Sequence, residues 1–303
     1  MKREEQILVI LNPTAHGGRA GNWQKRIASL SRRIVIHRTE GEGDARRAAR
    51  QGIQDGFRVI VAAGGDGTIN EVVNGLAQTK DVTLGILPVG TMNVFATELG
   101  LPANDLPAAW RVITEGKSRS IDFPRANGQY FVQLAGAGLD AEVVRQTTPD
   151  FKRALGPVSY LLTLAQVAAR RPPEIHVIPV DGPRRRGCFV LVGNGRFYGG
   201  PFPLFKEARL DDGLLDVIIF QNQSHWDILR YVQAIAFGNH PELPDVEYFQ
   251  TCGLQLHSDD SVPVEIDGEW TGTLPCTIQL SGRQLTVLVP AAQGELPSAT
   301  ISV

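Results

Sequence analysis

The stretch Arg58-Val59-Ile60-Val61-Ala62-Ala63-Gly64-Gly65-Asp66-Gly67-Thr68-Ile69-Asn70 decides the fold class. Its first half is an unbroken apolar run, the pattern of a parallel strand buried on both faces. Glycines follow, and then Glu71-Val72-Val73-Asn74-Gly75-Leu76, which reads as a helix. Glycine at a strand-to-helix junction lets the backbone come close to a ligand. The helix start adds unpaired N–H groups and the positive end of the dipole. The junction therefore reads as a phosphate site. Asp66 stands out within it, because a carboxylate repels phosphate unless it holds a metal ion or moves a proton. The combination implies handling of a nucleoside triphosphate and transfer of a phosphoryl group. The chain contains no G-x-x-x-x-G-K-[ST] and no H-R-D catalytic loop, which excludes the P-loop and protein-kinase designs.

Working outward, Ile7–Leu11 is a short apolar run ending in Asn12-Pro13-Thr14, and it reads as a first parallel strand. Gly17, Gly18 and Gly21 follow in a loop. A helix near 22–33, a strand at Ile34–His37 closed by Thr39, and a helix near 43–55 lead to the central stretch. Thr83–Pro88 reads as a fourth strand, followed by Val89-Gly90-Thr91-Met92-Asn93 and a helix over about 93–99. Strands alternating with helices at this spacing imply βαβ units and a parallel sheet. Ligands of such sheets bind beyond the C-terminal strand ends. Asn12, Thr39, Gly64–Asn70 and Thr91 all fall at that edge.

The texture changes near residue 120. Short β-rich runs dominate: Ser120–Pro124, Tyr130–Ala135, Glu174–Val180, Cys188–Gly193, Leu214–Phe220, Gly253–His257, Pro263–Ile266, Thr277–Leu280 and Leu285–Val289. This is the pattern of an antiparallel sandwich or barrel. Helical stretches near 157–170 and 225–237 interrupt it. The first of these begins at Pro157 and is apolar nearly all round, fitting either a buried core helix or the wall of a lipid cleft.

Composition narrows the class. The 303 residues are 43% hydrophobic and 20% charged, with a net charge of −2, the profile of a soluble globular protein rather than a basic nucleic-acid binder. Three scattered cysteines, Cys188, Cys252 and Cys276, fit neither a disulfide framework nor a zinc site and imply a reducing compartment. The six histidines show no metal-ligand spacing. No apolar run reaches the roughly 18 residues needed to span a bilayer.

Asn12-Pro13 after a first strand, then Gly64–Asn70, then Gly90-Thr91-x-Asn93, resembles the diacylglycerol kinase catalytic domain shared by bacterial soluble lipid kinases and sphingosine kinases. The glycine-aspartate loop is also similar to that of NAD kinases and phosphofructokinases. Gly138-Leu139-Asp140-Ala141, Asp211-Asp212-Gly213-Leu214-Leu215-Asp216 and Asp267-Gly268-Glu269 follow in the order of the lipid kinases, so the resemblance covers nearly the whole chain. One position departs: many diacylglycerol kinases have Asp after the Asn of the second loop, and here it is Val94.

The resemblance implies roles. Nucleotide contacts fall on Asn12, Thr39, Gly64, Gly65, Asp66, Gly67, Thr68, Ile69, Asn70 and Thr91. Glu269 matches the proposed general base, with Asp267 beside it. Asp66 would hold Mg²⁺ or orient the nucleophile. Asp140 would lie near the acceptor's polar head, with Lys152 and Arg153 reaching phosphates. The Asp212 carboxylate and the carbonyls of Arg209 and Leu214 would surround a structural Mg²⁺, in keeping with a hard cation's taste for oxygen. Gly136-Ala137-Gly138-Leu139-Asp140-Ala141 superficially matches a dinucleotide fingerprint, but Thr147-Thr148-Pro149 breaks the helix that reading needs. Arg184-Arg185-Arg186 reads as a solvated turn or a patch for anionic membrane.

The expected architecture is α/β plus β. Residues 1–123 form a parallel-sheet nucleotide domain and 124–290 a β-rich antiparallel sandwich for the lipid acceptor. The active site is expected in the cleft between them, with 291–303 a tail returning to the first domain. The expected activity is ATP- and Mg²⁺-dependent phosphorylation of a lipid hydroxyl, on diacylglycerol, phosphatidylglycerol or a sphingoid-like acceptor. The rivals are a kinase of a soluble acceptor related to NAD kinase, and a non-catalytic lipid or nucleotide sensor. Expected partners are the lipid substrate, transient contact with a membrane surface and a second copy in a homodimer, with no nucleic acid. The expected location is the cytoplasm.

Overall fold

The computed structural model describes residues 6–15, 23–103, 105–146, 167 and 171–291. The chain divides into two units. The first comprises the chain up to Phe123 with Gly199–Pro201 and the chain from Gly282 onward; the second comprises Pro124–Tyr198 and Phe202–Ser281.

The first unit is a parallel α/β layer structure. Strands β1 (Ile7–Leu11), β2 (Ile34–Arg38), β3 (Val59–Gly64) and β4 (Thr83–Pro88) lie in the order β2-β1-β3-β4. All neighbours are parallel, with Val9 beside both Ile36 and Val61, and Ala62 beside Ile86. Helices α1 (Trp23–Ala28), α2 (Asp44–Gln54), α3 (Asp66–Leu76), α4 (Val94–Glu98) and α5 (Leu106–Glu115) connect them. Alternation along the strands divides their side chains between two faces. Ile7, Val9, Leu11, Val61 and Leu87 meet Ile27 of α1 and Ala109, Trp110 and Ile113 of α5. On the other face Leu8 and Ile60 lie against Gly52 of α2, where a Cβ would come within 2.4 Å of Leu8 Cδ2. Helix α5 escaped the sequence reading, although Asp105 caps it by accepting the Ala108 N–H at 2.9 Å and Pro107 stands in its first turn.

The second unit is a sandwich. Its strands are β5 (Lys117–Ala126), which enters from the first unit, then β6 (Gln129–Tyr130), β7 (Leu134–Ala137), β8 (Ile175–Pro179), β9 (Arg185–Gly187), β10 (Phe189–Gly193), β11 (Phe197–Tyr198), β12 (Phe202–Pro203), β13 (Leu215–Phe220), β14 (Val246–Thr251), β15 (Gly253–His257), β16 (Pro263–Ile266), β17 (Glu269–Thr273) and β18 (Cys276–Val289). Helices α6 (Leu139–Gln146) and α7 (His225–Phe237) join them. One antiparallel sheet runs β14-β13-β10-β7-β16-β17. Its inner residues Ala135, Val190, Val217, Val264 and Ile266 pack on Ile175, Val177, Leu254, Leu256 and Ile278 of the strands facing them. Its outer residues Leu191, Ile218 and Phe220 are covered by Leu139 and Val143 of α6 and by Ile228 and Tyr231 of α7.

Several expectations need correction. Thr277–Leu280 and Leu285–Val289 are one strand, β18, not two. Its first half pairs with β15, while Val287 lies parallel to Leu84, so residues 282–289 complete the first unit's sheet rather than the second unit. A helix, α6, does follow Gly136–Gly138; it ends at Gln146, just before Thr147. Arg185 and Arg186 lie in β9, not in a turn, because Arg185 stacks on Phe249 at 3.9 Å and meets Glu247 at 3.1 Å. The expected helix near 157–170, Lys152, Arg153, the loop glycines 17, 18 and 21 and the tail 292–303 lie outside the described residues.

Gly75 makes a checkable demand. A Cβ there would sit 2.5 Å from Ala49 Cβ and 2.7 Å from the Arg46 carbonyl oxygen, both fixed to α2. Alanine in a helix normally gains about 1 kcal/mol over glycine. The overpacking opposes this and wins, so Gly75→Ala is expected to destabilise by about 1–3 kcal/mol in denaturant melts. Gly41→Ala, with nothing within 4 Å, serves as the control.

Candidate active site

In the first unit the strand ends lead straight into the glycine loops. Thr39 N–H donates to the Leu11 carbonyl, Asn12 N–H to Ala63 and Val89 N–H to Gly64, so the ladder continues past the strands. The two glycine loops touch through bare backbone. A Cβ on Gly90 would lie 2.3 Å from Gly65 Cα, and one on Gly64 would lie 2.4 Å from Thr68 Oγ1. Gly90 and Gly64 are thus required by the protein's own packing, before any ligand is considered, while a Cβ on Gly65 would lie 3.3 Å from Gly90 Cα.

Asp66 joins the loops. Its Oδ1 accepts the Phe95 N–H at 3.2 Å, at the start of α4. Burial pushes its carboxyl above the ordinary range, against the pull of the Phe95 and Val94 N–H groups. Asn93, at φ 50°, bonds back to Gly90 through both side-chain atoms, at 3.0 and 2.9 Å. Gly65 caps α3 with no side-chain acceptor. The first-turn N–H groups of α3 therefore have no side-chain cap, which is the condition for binding an anion.

The predicted nucleotide residues divide by burial. Thr68, Ile69 and Asn70 are buried. Thr68 Oγ1 accepts from Asn12 Nδ2 at 3.2 Å, Asn70 Oδ1 accepts from Asn74, and Ile69 joins the core. These side chains support the loop from beneath. Gly65, Asp66, Gly67, Asn12 and Thr39 are half-buried, and Thr91 is exposed. Sequence reasoning missed the groups that set the Thr39 segment. Asp44 accepts the Glu40 N–H at 3.0 Å and meets His37 at 3.1 Å. Glu71 accepts the N–H groups of Gly43 and Arg46 at the start of α2. The Gly-x-Gly-Asp spelling of 41–44 is a helix-start signal that pointed there.

In the second unit Asp267 and Gly268 form the two-residue turn between β16 and β17, with φ of 48° and 82°. Positive φ at both positions is what an Asp-Gly hairpin turn supplies. The Asp267 carboxylate accepts N–H groups from Val132 at 3.0 Å, Gln133 at 2.9 Å and Leu134 at 3.1 Å. It staples the turn to the segment before β7. Glu269, directly after the turn, is exposed. Asp140 opens α6, is buried, and accepts the Tyr198 hydroxyl. Beside it lies Glu265, which the sequence reading did not single out.

The loop 209–214 is a separate cluster. Asp212 Oδ1 accepts the Leu214 N–H at 3.0 Å around Gly213, whose φ is 75°. Two residues on, Asp216 is 1% exposed. Its Oδ1 accepts from Tyr248 and Gln250, while its Oδ2 meets no donor. Burial lifts its carboxyl to about 6, with Tyr248 and Gln250 opposing and Asp212 and Glu207 adding to the rise. A buried carboxylate oxygen lacking a donor beside an acidic turn fits a cation. No group of three or more His, Cys, Asp or Glu side chains suited to a metal occurs among the described residues, so such a site would draw on backbone carbonyls.

Comparison with known proteins matches this arrangement. The diacylglycerol kinase catalytic domain family matches residues 6–126, and the YegS C-terminal NAD kinase beta sandwich-like domain matches residues 133–289. The chain is 33% identical over 298 residues to a diacylglycerol kinase of Bacillus subtilis (strain 168), covering 95% of this chain and 97% of that one. The chain belongs to the diacylglycerol kinase family. It is an enzyme of the lipid-kinase kind, a phosphotransferase with an alcohol group as acceptor. It is also 32% identical over 255 residues to a diacylglycerol kinase of Staphylococcus carnosus (strain TM300), covering 83% of each chain. The crystal structure of a diacylglycerol kinase from Bacillus anthracis superposes with a TM-score of 0.75 at 28% identity, covering 94% of this chain and 97% of that one. An NAD kinase from Archaeoglobus fulgidus, solved with ATP, superposes at 0.52 with 12% identity over 93% of each chain, a likeness of fold.

The geometry separates two neighbouring acids. Asp267→Ala leaves the N–H groups of Val132, Gln133 and Leu134 without their acceptor and is expected to cost about 2–3 kcal/mol of stability. Glu269→Ala, at an exposed position, is expected to change stability by less than about 0.5 kcal/mol. Thermal and urea melts of both variants check this contrast. Equal melting of the two would refute the stapling role.

Proposed function

We propose that the protein is an ATP- and Mg²⁺-dependent kinase that transfers the γ-phosphoryl group to the hydroxyl of a lipid. The observation that supports this best is the start of α3, free of any side-chain cap and flanked by two glycine loops in backbone contact, in a chain of a lipid-kinase family. The triphosphate would place its charge at the first-turn N–H groups of α3, with Asn12, Thr39 and Thr91 at the same strand edge. Asp66 would act chiefly by holding the Gly90–Asn93 loop in register, since its Oδ1 is bound to Phe95.

In the transfer, the lipid hydroxyl oxygen bonds to the γ-phosphorus, the bond from that phosphorus to the β,γ-bridging oxygen breaks, and ADP leaves. The hydroxyl proton passes to a carboxylate. Glu269 suits this role: it follows the turn that Asp267 fixes and is open to solvent, whereas both Asp267 oxygens already accept N–H groups. Phosphoryl transfer needs positioning and charge neutralisation more than covalent help. Magnesium entering with ATP supplies that neutralisation. A second, structural Mg²⁺ would be held by the Asp212 carboxylate and the carbonyls of Arg209 and Leu214, which the donorless Asp216 Oδ2 supports. The curated relatives favour diacylglycerol among the possible acceptors, with phosphatidylglycerol and sphingoid-like lipids as the alternatives that Val94 leaves open. The enzyme would meet its acceptor at the cytoplasmic face of a membrane. Among the described residues no helix is long and apolar enough to cross one.

The test is transfer from [γ-³²P]ATP to diacylglycerol, phosphatidylglycerol, ceramide and sphingosine in mixed micelles. Label is expected in an organic-phase product. Glu269→Ala is expected to cut it by about 10²–10⁴-fold while ATP binding persists. Label confined to water-soluble products would overturn the lipid reading. For the structural ion, Mg²⁺ is expected to raise the melting temperature without nucleotide, and Asp212→Ala to abolish that rise.

A further inference from the structure

Glu265 is the residue whose setting the proposed transfer leaves unexplained. It lies on β16 opposite Gly136 of β7 and is 1% exposed. Its Oε2 accepts the Gly268 N–H at 2.7 Å, inside the turn that carries Asp267 and leads to Glu269. Its Oε1 is buried and meets no N–H or O–H donor. What faces it is the buried carboxyl of Asp140, which is in hydrogen-bonding contact with it. Gly136 makes room for the pair. A Cβ there would lie 2.9 Å from Glu265 Oε1 and 3.3 Å from Asp140 Oδ2, with Leu191 Cδ2 at 3.0 Å closing the apolar side.

Two ionised carboxylates offer only acceptors. Placed face to face in low dielectric they repel, and one takes up a proton. The Tyr198 hydroxyl donates to Asp140, which favours charge there. The groups facing Glu265 are Asp140 from α6 and Asp267 from its own turn, both acidic, with the Gly268 N–H as the opposing donor. Burial first, and Asp140 second, hold the Glu265 carboxyl well above the ordinary glutamate range.

We infer that Glu265 is a positioning acid. It is neutral in the folded protein, donates a hydrogen bond from Oε1 to Asp140, accepts one from Gly268, and so ties Asp140 to the Asp267-Gly268-Glu269 turn. Its effect on turnover rests on the lipid-kinase reading, whereas its protonation does not. The charge that remains on the pair belongs to Asp140, the residue expected at the acceptor's polar head.

Glu265→Gln tests this, because an amide keeps both contacts without titrating: its oxygen accepts from Gly268 and its NH₂ donates to Asp140. The folded wild type binds a proton that the unfolded chain releases near pH 4.5. Its stability therefore falls as pH rises above that value. The variant lacks this slope, so the melting temperature of Glu265→Gln minus wild type is expected to grow as pH rises from about 5 to 8. A flat difference would overturn the inference. Should the variant fold poorly, carbon-13 labelling of glutamate carboxyls in the wild type decides instead. One resonance is expected to stay at the protonated position well above the pH at which an ordinary glutamate ionises. No such resonance overturns the inference.

For the positioning role, Glu265→Gln is expected to retain lipid phosphorylation within about threefold, and Glu265→Leu to lose at least about tenfold in kcat/KM for lipid with KM for ATP unchanged. Loss of activity in both variants alike would overturn it. A wild type that titrates as described but phosphorylates no lipid would sink the lipid-kinase reading and leave the protonated pair standing.

Discussion

The hydrogen bond from a backbone N–H to a side-chain carboxylate holds the working loops of this protein in place. Asp66 takes the N–H of Phe95, Glu71 those of Gly43 and Arg46, and Asp44 that of Glu40. In the second unit Asp267 takes three in a row from Val132 to Leu134. Loops and helix starts leave N–H groups that secondary structure cannot pair, and each is expensive to bury unmet. A charged acceptor is worth about 1.5–3 kcal/mol at such a position, more than a neutral one. The loops are therefore fixed before a substrate arrives, which is what phosphoryl transfer asks of a protein.

The glycines fit the same picture. At a phosphate loop they are usually read as space for a ligand. Here Gly65 and Gly90 are spent on each other, and Gly64 on Thr68. Close approach of the two loops lets Asp66 bridge from one to the other, so the approach and the bridge belong together. Gly136 makes the parallel case in the second unit, where its missing side chain is filled by the Glu265 and Asp140 carboxyls. Acids that look alike in sequence thus divide by surroundings. Asp267 and Asp66 are anchors, Glu265 and Asp140 share a proton, and Glu269 stays exposed.

Much of the fold is legible along the chain. Apolar runs such as Ile7–Leu11 and Val59–Gly64, separated by glycine turns, spell a parallel sheet, because a strand buried on both faces has nowhere to put a polar residue. Asp267-Gly268 announces its hairpin through the positive φ it tolerates. Helix α5 went unread, although Pro107 stands in its first turn, where a missing N–H costs no helical hydrogen bond. Tyr130–Ala135 looked like one strand. The chain breaks it between β6 and β7 so that Val132, Gln133 and Leu134 can turn their N–H groups toward Asp267.

The sequence alone determined the βαβ alternation, the order of the glycine and acidic motifs and hence the family, since propensity, periodicity and turn chemistry act between near neighbours. Tertiary structure alone decided which acids meet which partners. Asp267 finds its donors 133 to 135 positions away. Glu265 meets Asp140 only because β16 and β7 pair with Gly136 between them. β18 pairs antiparallel with β15 along its first half and parallel with β4 at Val287. Contacts of that separation are set by how layers pack, and the protonation of a buried carboxyl is set by whatever the packing places opposite it.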